Sequence, residues 1–113
     1  MNNASFLSEL DFDPNRIKIK LILETSFSKE LRILFTENQV MKDHKTPFPI
    51  IIQVLDGKIN LDVEGEIFSL NAGDIIQLEG NLMHNLTALK NSIVRLTISK
   101  FDEVERVMQV AEK

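Results

Sequence analysis

The sequence predicts an all-β fold, an antiparallel barrel or jelly roll with a C-terminal α-helix, and three observations carry that expectation. Apolar residues alternate with polar ones at period two along much of the chain, as in half-buried strands. Turn residues punctuate these runs at short intervals, most clearly over residues 54–74, where Asp56-Gly57, Glu64-Gly65 and Gly73-Asp74 mark corners and Gly can supply the positive φ that a tight turn needs. After Ser99 the apolar period changes to three and four, the mark of an amphipathic helix.

Taken in order, residues 1–16 are mixed in character. Phe6, Leu7, Leu10 and Phe12 fall near helical spacing and predict a helical turn or two, ended by Asp13-Pro14-Asn15. This stretch reads as an arm that packs on the domain or on a partner subunit. From Ile17 the period is two: Ile17, Ile19, Leu21 and Leu23 share one face, with Lys18, Lys20 and Glu24 on the other. Leu31, Ile33 and Phe35 repeat the pattern opposite Arg32. Residues 37–45 are polar around Val40 and Met41. After Thr46-Pro47-Phe48-Pro49, residues 50–55 are apolar on both faces, so one side should meet the core and the other a second sheet or another subunit.

Lys58, Asn60 and Asp62 alternate with Ile59, Leu61 and Val63, the chain turns at Glu64-Gly65, and it returns through Ile67, Phe68 and Leu70. Ile75, Ile76 and Leu78 form the next strand, residues 82–86 another, and Val94, Leu96 and Ile98 the last, with Arg95 and Thr97 opposite. Phe101, Val104, Val107, Met108 and Ala111 then define the helix stripe, with Ser99 as a cap and Asp102 placed to complement the helix dipole. The division expected is an arm at 1–16, a barrel at 17–99 and a helix of the same domain at 100–113.

Composition narrows the function classes. At 113 residues the chain has room for one core, and 43% hydrophobic with 27% charged residues is ordinary for a globular domain. A net charge of −4 argues against nucleic acid, whose phosphates require a clustered basic surface. No apolar run approaches the ~20 residues that span a bilayer, and the first residues lack the order of a secretory signal, so a cytoplasmic protein without membrane contact is expected. The absence of cysteine removes disulfides, thiolate ligands and a thiol nucleophile. With no Tyr or Trp, seven Phe and the aliphatic residues must build the core. No nucleophile–base pair is recognisable, Gly73 leads into a short strand and not into the helix of a phosphate loop, and Asp62 and Glu64 alternate on the solvated face.

The chain has two histidines, His44 and His84. If residues 43–55 run as one extended segment, His44, Thr46, Phe48, Ile50, Ile52 and Val54 share a face, and Leu82, His84 and Leu86 share another. Both histidines then point inward among apolar residues. An inward His is a metal ligand, a contact to a bound molecule, or a core residue satisfied by backbone.

The order His44, then Asp56-Gly57, then Gly73-Asp74, then His84 resembles the cupin superfamily over roughly residues 27–99. Laid on the first cupin motif, His44 takes the first histidine and Gly57 the closing glycine, while Asn38, Thr46 and Ile50 stand where the opening glycine, second histidine and glutamate would be. In the second motif Gly73 and His84 match, whereas Glu79, Asn81 and Ala88 depart. The resemblance implies a jelly-roll barrel, a homodimer, and in metal-containing members an iron, manganese, nickel or zinc ion held by three histidines and a glutamate. Two of those four positions are replaced here, and His44 and His84 alone fall short of the three protein ligands usual for a divalent ion.

The reading that follows is a protein that binds a small molecule in a barrel pocket lined by His44, Thr46, Ile50, Ile52, His84 and Leu86, with a tight metal site doubtful. The alternative is a metal-dependent enzyme of oxygenase or isomerase type, in which His44 and His84 are joined by a third ligand. A third reading leaves the pocket idle and gives the function to a partner-binding surface.

Overall fold

The structure, a computed structural model, describes residues 1–112. Its strands are β1 (Lys18–Glu24), β2 (Ser28–Phe35), β3 (Val40–His44), β4 (Ile50–Asp56), β5 (Lys58–Val63), β6 (Glu66–Asn71), β7 (Ile75–Leu78), β8 (His84–Ala88) and β9 (Ser92–Ser99), followed by the helix α1 (Val104–Ala111). They form a five-stranded sheet in the order β1-β2-β9-β4-β7 and a four-stranded sheet in the order β3-β8-β5-β6. Every pairing is antiparallel. Consecutive strands lie in different sheets at several steps, which is a jelly-roll arrangement.

The period-two pattern explains which side chains fill the space between the sheets. Leu31, Ile33 and Phe35 of β2, Ile50, Ile52 and Val54 of β4, and Val94, Leu96 and Ile98 of β9 are buried from one side, and Ile59, Leu61, Leu86 and Ala88 from the other. Val107 and Val110 of α1 close one end of this core. The β5–β6 hairpin turns at Glu64 and Gly65, both at positive φ (50° and 92°), the mirror-image turn whose twist matches the flanking strands. Gly57, also at positive φ (99°), is fixed by space as well: a Cβ there would overlap the Ser92 side chain and the Asn91 carbonyl.

Three expectations are corrected. Residues 43–55 are not one extended segment. β3 ends at His44, residues 45–49 cross between the sheets, and β4 begins at Ile50 in the other sheet. Pro47 and Pro49 supply no N–H to a ladder, which suits them to the crossing and not to a strand interior. The crossing packs against Gly80, where any Cβ would collide with the Pro47 carbonyl, and the Asn81 amide donates to the Thr46 carbonyl at 2.7 Å. His44 and Ile50 therefore face each other across the core instead of lining one strand.

The arm contains no helix. Glu9 sits at φ 56°, which interrupts a right-handed turn. The carbonyls of Phe6, Ser8 and Glu9 turn toward Arg32, which donates to them at 3.3, 2.7 and 3.3 Å, and so are not free for helical bonds. The arm thus lies on the outer face of the five-stranded sheet, where Arg95 also stacks over the Phe6 ring at 5.8 Å.

The C-terminal helix begins at Val104, later than its apolar stripe suggested, and Phe101 is 68% exposed. Ser99 Oγ accepts only the Phe101 amide, and Glu103, at the N-cap, makes no side-chain cap. The chain turns inward at Asp102 first, because that carboxylate is bound by Thr46 and Arg106. No helix among the described residues is long and apolar enough to cross a membrane.

Candidate functional site

The two histidines meet. His44 of β3 and His84 of β8 are direct cross-strand partners, with ring centroids 4.2 Å apart and planes inclined by 57°. Simple alternation does not produce this. Leu86 and His84 are two apart on β8, while their partners Met41 and His44 are three apart on β3, so β3 carries a bulge of one extra residue. Without it, Met41 and His44 would point to opposite faces. With it, both point inward.

The rings line a recess between the sheets whose other walls are Ile33, Met41, Ile50, Ile52, Leu86, Val94 and Leu96, with Arg106 and Val107 of α1 across its mouth. The recess is a narrow cavity of about 10 Å³, room for about one water. His44, Ile50, Ile52, His84 and Leu86 thus share the recess. Thr46 does not line it: its hydroxyl is buried and donates to Asp102 Oδ2 at 2.8 Å, behind the mouth.

Each ring is held the same way. His44 Nδ1 lies 2.7 Å from the Lys42 carbonyl and His84 Nδ1 lies 2.9 Å from the Leu82 carbonyl, two residues back in both cases. A carbonyl can only accept, so each Nδ1 carries the proton, and in the neutral ring Nε2 keeps its lone pair. Burial disfavours the imidazolium and lowers the His44 pKa from 6.5 to about 4, against the pull of the Lys42 carbonyl, with His84 and Arg106 pushing it further down. Burial lowers His84 as well, again opposed by its carbonyl contact. The site therefore presents two neutral bases at neutral pH.

Asp102 and Arg106, which sequence reasoning did not bring to the site, organise its mouth. Arg106 grips the carboxylate bidentately, Nε to Oδ1 and Nη2 to Oδ2, both at 2.8 Å. Burial alone would raise the Asp102 pKa, but the bonds from Arg106, Thr46 and the Glu103 amide outweigh it and hold the carboxyl below its ordinary value. Lys29 Nζ adds a bond to the Asp102 carbonyl at 2.6 Å. The spacing of Asp102 and Arg106, i and i+4, was the available signal for the pair.

The donor set does not fit a tightly held divalent ion. Among the described residues no group of three or more His, Cys, Asp or Glu side chains converges anywhere. Ile50 is aliphatic, the Thr46 hydroxyl is committed to Asp102, and the Asp102 carboxylate is committed to Arg106. Neither imidazole hydrogen-bonds a hydroxyl among the described residues, so no serine- or threonine-based nucleophile is assembled.

Comparison with known proteins agrees with this architecture. A family model for the AraC-like ligand binding domain matches residues 31–109. Among solved structures, the chain is similar to an RmlC-like cupin protein from Desulfovibrio desulfuricans, with a TM-score of 0.80 at 22% identity over 88% of this chain and 96% of that one. It is similar to an RmlC-like cupin from Shewanella frigidimarina, with a TM-score of 0.76 at 19% identity over 91% and 95% of the two chains. For KdgF from Halomonas sp. the TM-score is 0.70 at 24% identity, over 81% and 86%. At such identities the likeness establishes the fold. Comparison with curated protein sequences returned no match.

Proposed function

This chain is a small cupin that belongs to the AraC-like ligand binding domain family, and from that premise we propose that it binds a small molecule in the recess between its sheets. The observation that carries the reading is the pair of neutral imidazoles at the end of an apolar hollow, each fixed by one backbone carbonyl and each retaining one lone pair. Apolar walls with a few convergent polar groups are the usual make-up of a small-molecule site, and because the recess has room for about one water it must widen to admit an organic ligand. His44, His84, Ile50, Ile52 and Leu86 make the contacts in this reading, and Arg106 stands at the entrance. The missing third ligand favours holding over metal-centred chemistry.

Two measurements test the proposal. A thermal-shift screen of small neutral and acidic organic molecules should find at least one that stabilises the protein, since a ligand at 100 times its dissociation constant adds about 2.7 kcal/mol. The shift should vanish in a His44→Leu, His84→Leu variant. Elemental analysis of tag-free protein should find no stoichiometric metal. One ion per chain, lost in His44→Ala and in His84→Ala, would replace this reading with the metal-dependent enzyme.

We also propose a homodimer. Its support is apolar surface on the outside of the five-stranded sheet, where Phe27, 73% exposed, stands beside Pro49 and Ile51, and Ile75 on the edge strand β7 is 58% exposed. Sedimentation of the parent and of an Ile75→Glu variant distinguishes a dimer through this face from a monomer.

A further inference from the structure

We infer that α1 is a hinged lid on the recess, pivoting at Glu103 and latched by the Arg106–Asp102 pair, so that the interior of the recess is reached only when the helix swings out. The inference rests on the reading that the recess admits a small molecule, and it specifies the way in.

A recess with room for about one water must move a wall before anything larger can enter. All but two of its lining residues lie on β2, β3, β4, β8 and β9, which backbone ladders knit into the two sheets. The two exceptions, Arg106 and Val107, belong to α1. Among the described residues α1 makes no main-chain hydrogen bond to either sheet, and its polar link to the rest of the chain is the grip of Arg106 on Asp102. Packing, chiefly of the buried Val107 and Val110, supplies the remainder of its hold. A helix of eight residues has little stability of its own, so this is the wall that yields first.

The fixed and moving parts meet at one residue. Asp102 belongs to the body: Thr46 Oγ1 donates to its carboxylate at 2.8 Å, Lys29 Nζ donates to its carbonyl at 2.6 Å, and its own amide donates to the Ser99 carbonyl at 3.0 Å. The helix opens at Val104. Glu103, between them, is extended (φ −111°, ψ 130°) and caps nothing with its side chain. Its amide donates to Asp102 Oδ1 at 2.8 Å, a bond on the body side of any rotation in ψ. Such a residue can absorb a hinge motion without breaking a ladder. Arg106 reaches back across that hinge to the anchored carboxylate, so the bidentate pair must part as the helix swings, which makes it the latch.

The test measures access to His84, which is 2% exposed. Diethyl pyrocarbonate acylates neutral imidazole and is much larger than a water. Its reaction with the full chain at neutral pH is followed by mass spectrometry of the peptide holding His84, beside amide hydrogen exchange of α1 and of the strands. In the parent the His84 rate should stay nearly flat in urea below the unfolding transition, because a local opening exposes little surface. Arg106→Gln should speed α1 exchange and His84 modification together, by about tenfold. Glu30→Ala, on the outer face of the other sheet, should speed exchange in the strands by about thirtyfold and leave His84 modification unchanged. The lid is overturned if the parent's His84 rate climbs with urea as global unfolding does, a readout that needs no variant to fold. It is equally overturned if Glu30→Ala accelerates His84 modification as much as strand exchange, or if Arg106→Gln speeds α1 exchange and not His84 modification. The binding reading stands or falls separately, on the thermal-shift screen: a lid that opens over a recess with no ligand removes that reading alone, and a ligand found where His84 is reached only by global unfolding removes the lid alone.

Discussion

Glu30, on the outer face of the five-stranded sheet, and His84, on the inner face of the four-stranded one, are almost equally sealed from solvent, at 7% and 2% exposure. Their surroundings differ in kind. Glu30 receives bonds from Ser28 at 2.8 Å, from Arg95 at 3.0 Å and from Thr97. Burial alone would raise its pKa, but these donors outweigh burial and keep the carboxyl below its ordinary value. Beside it, Arg32 fastens the arm through three carbonyls and leaves only Nε without a partner. His84 has one backbone contact, and its other nitrogen lies in a ring that borders empty space. The outer cluster closes its bonds within the chain save at that one Nε, whereas His84 makes a single protein bond and borders the recess in which a ligand is proposed to bind.

The comparison breaks most easily at Glu30. A Glu30→Ala variant leaves Arg95, Ser28 and Thr97 without their shared acceptor on a face the arm covers, and losing a charged acceptor costs about 2 kcal/mol, less than breaking a fully buried ion pair because the Arg95 side chain is 40% exposed. Urea unfolding monitored by circular dichroism should show that loss, with the thermal shift produced by a recess ligand unchanged. A variant within about 1 kcal/mol of the parent would mean that the outer cluster is ornamental, and the contrast drawn here would go with it.

Acid sharpens the same contrast, because the two clusters respond in different windows. A histidine whose pKa is depressed on folding contributes stability that is complete above its unfolded value and is lost as pH falls. For His44 that loss runs from about 6.5 down to about 4, and the shift of His84 adds in the same direction. Glu30 and Asp102 have carboxyl values lowered from 4.5 and 3.8, so their contributions are lost only on further acidification. Thermal unfolding scans should therefore show a first decline in melting temperature between neutral pH and about 4, and this decline should be absent from a variant lacking both histidines. An unchanged decline in that variant would assign it to other groups.

How much of this was legible in the sequence depends on whether period or irregularity placed the residue. Alternation alone put Leu31, Ile33 and Phe35 on the core side of β2 and Val94, Leu96 and Ile98 on that of β9, and Glu64-Gly65 announced its own turn. It also set His84 and Leu86 on one face. Alternation could not set His44 beside Met41, because a bulge does that, and a bulge is a local departure from the very pattern being read. The crossing at residues 45–49 escaped for a similar reason: with Phe48, Ile50, Ile52 and Val54 at successive even positions, the run looked continuous although its two prolines interrupt the ladder. Arg32 was visible as the polar side of a strand, but nothing local indicated that main-chain carbonyls of an arm more than twenty residues away would surround it. Asp102 was read as a helix-dipole residue, and its bond to Thr46, 56 residues earlier, is a tertiary contact with no signature in the neighbouring sequence.

The smallest expected effect is also the most discriminating. Replacing His84 with Leu removes one hydrogen bond to the Leu82 carbonyl and one lone pair that faced the hollow, and it adds apolar volume to apolar walls. The lost bond is worth about 1 kcal/mol, and the added burial offsets it. At neutral pH the variant should therefore unfold within about 1 kcal/mol of the parent, while its thermal shift with a recess ligand disappears. Substitutions at two sites of nearly equal burial would then part completely, Glu30→Ala weakening the fold and sparing the recess, His84→Leu sparing the fold and abolishing binding in the recess. If His84→Leu instead destabilises the chain as much as Glu30→Ala does, the imidazole is a structural member of the inner sheet, and the lone pair beside the hollow has lost its claim to a ligand.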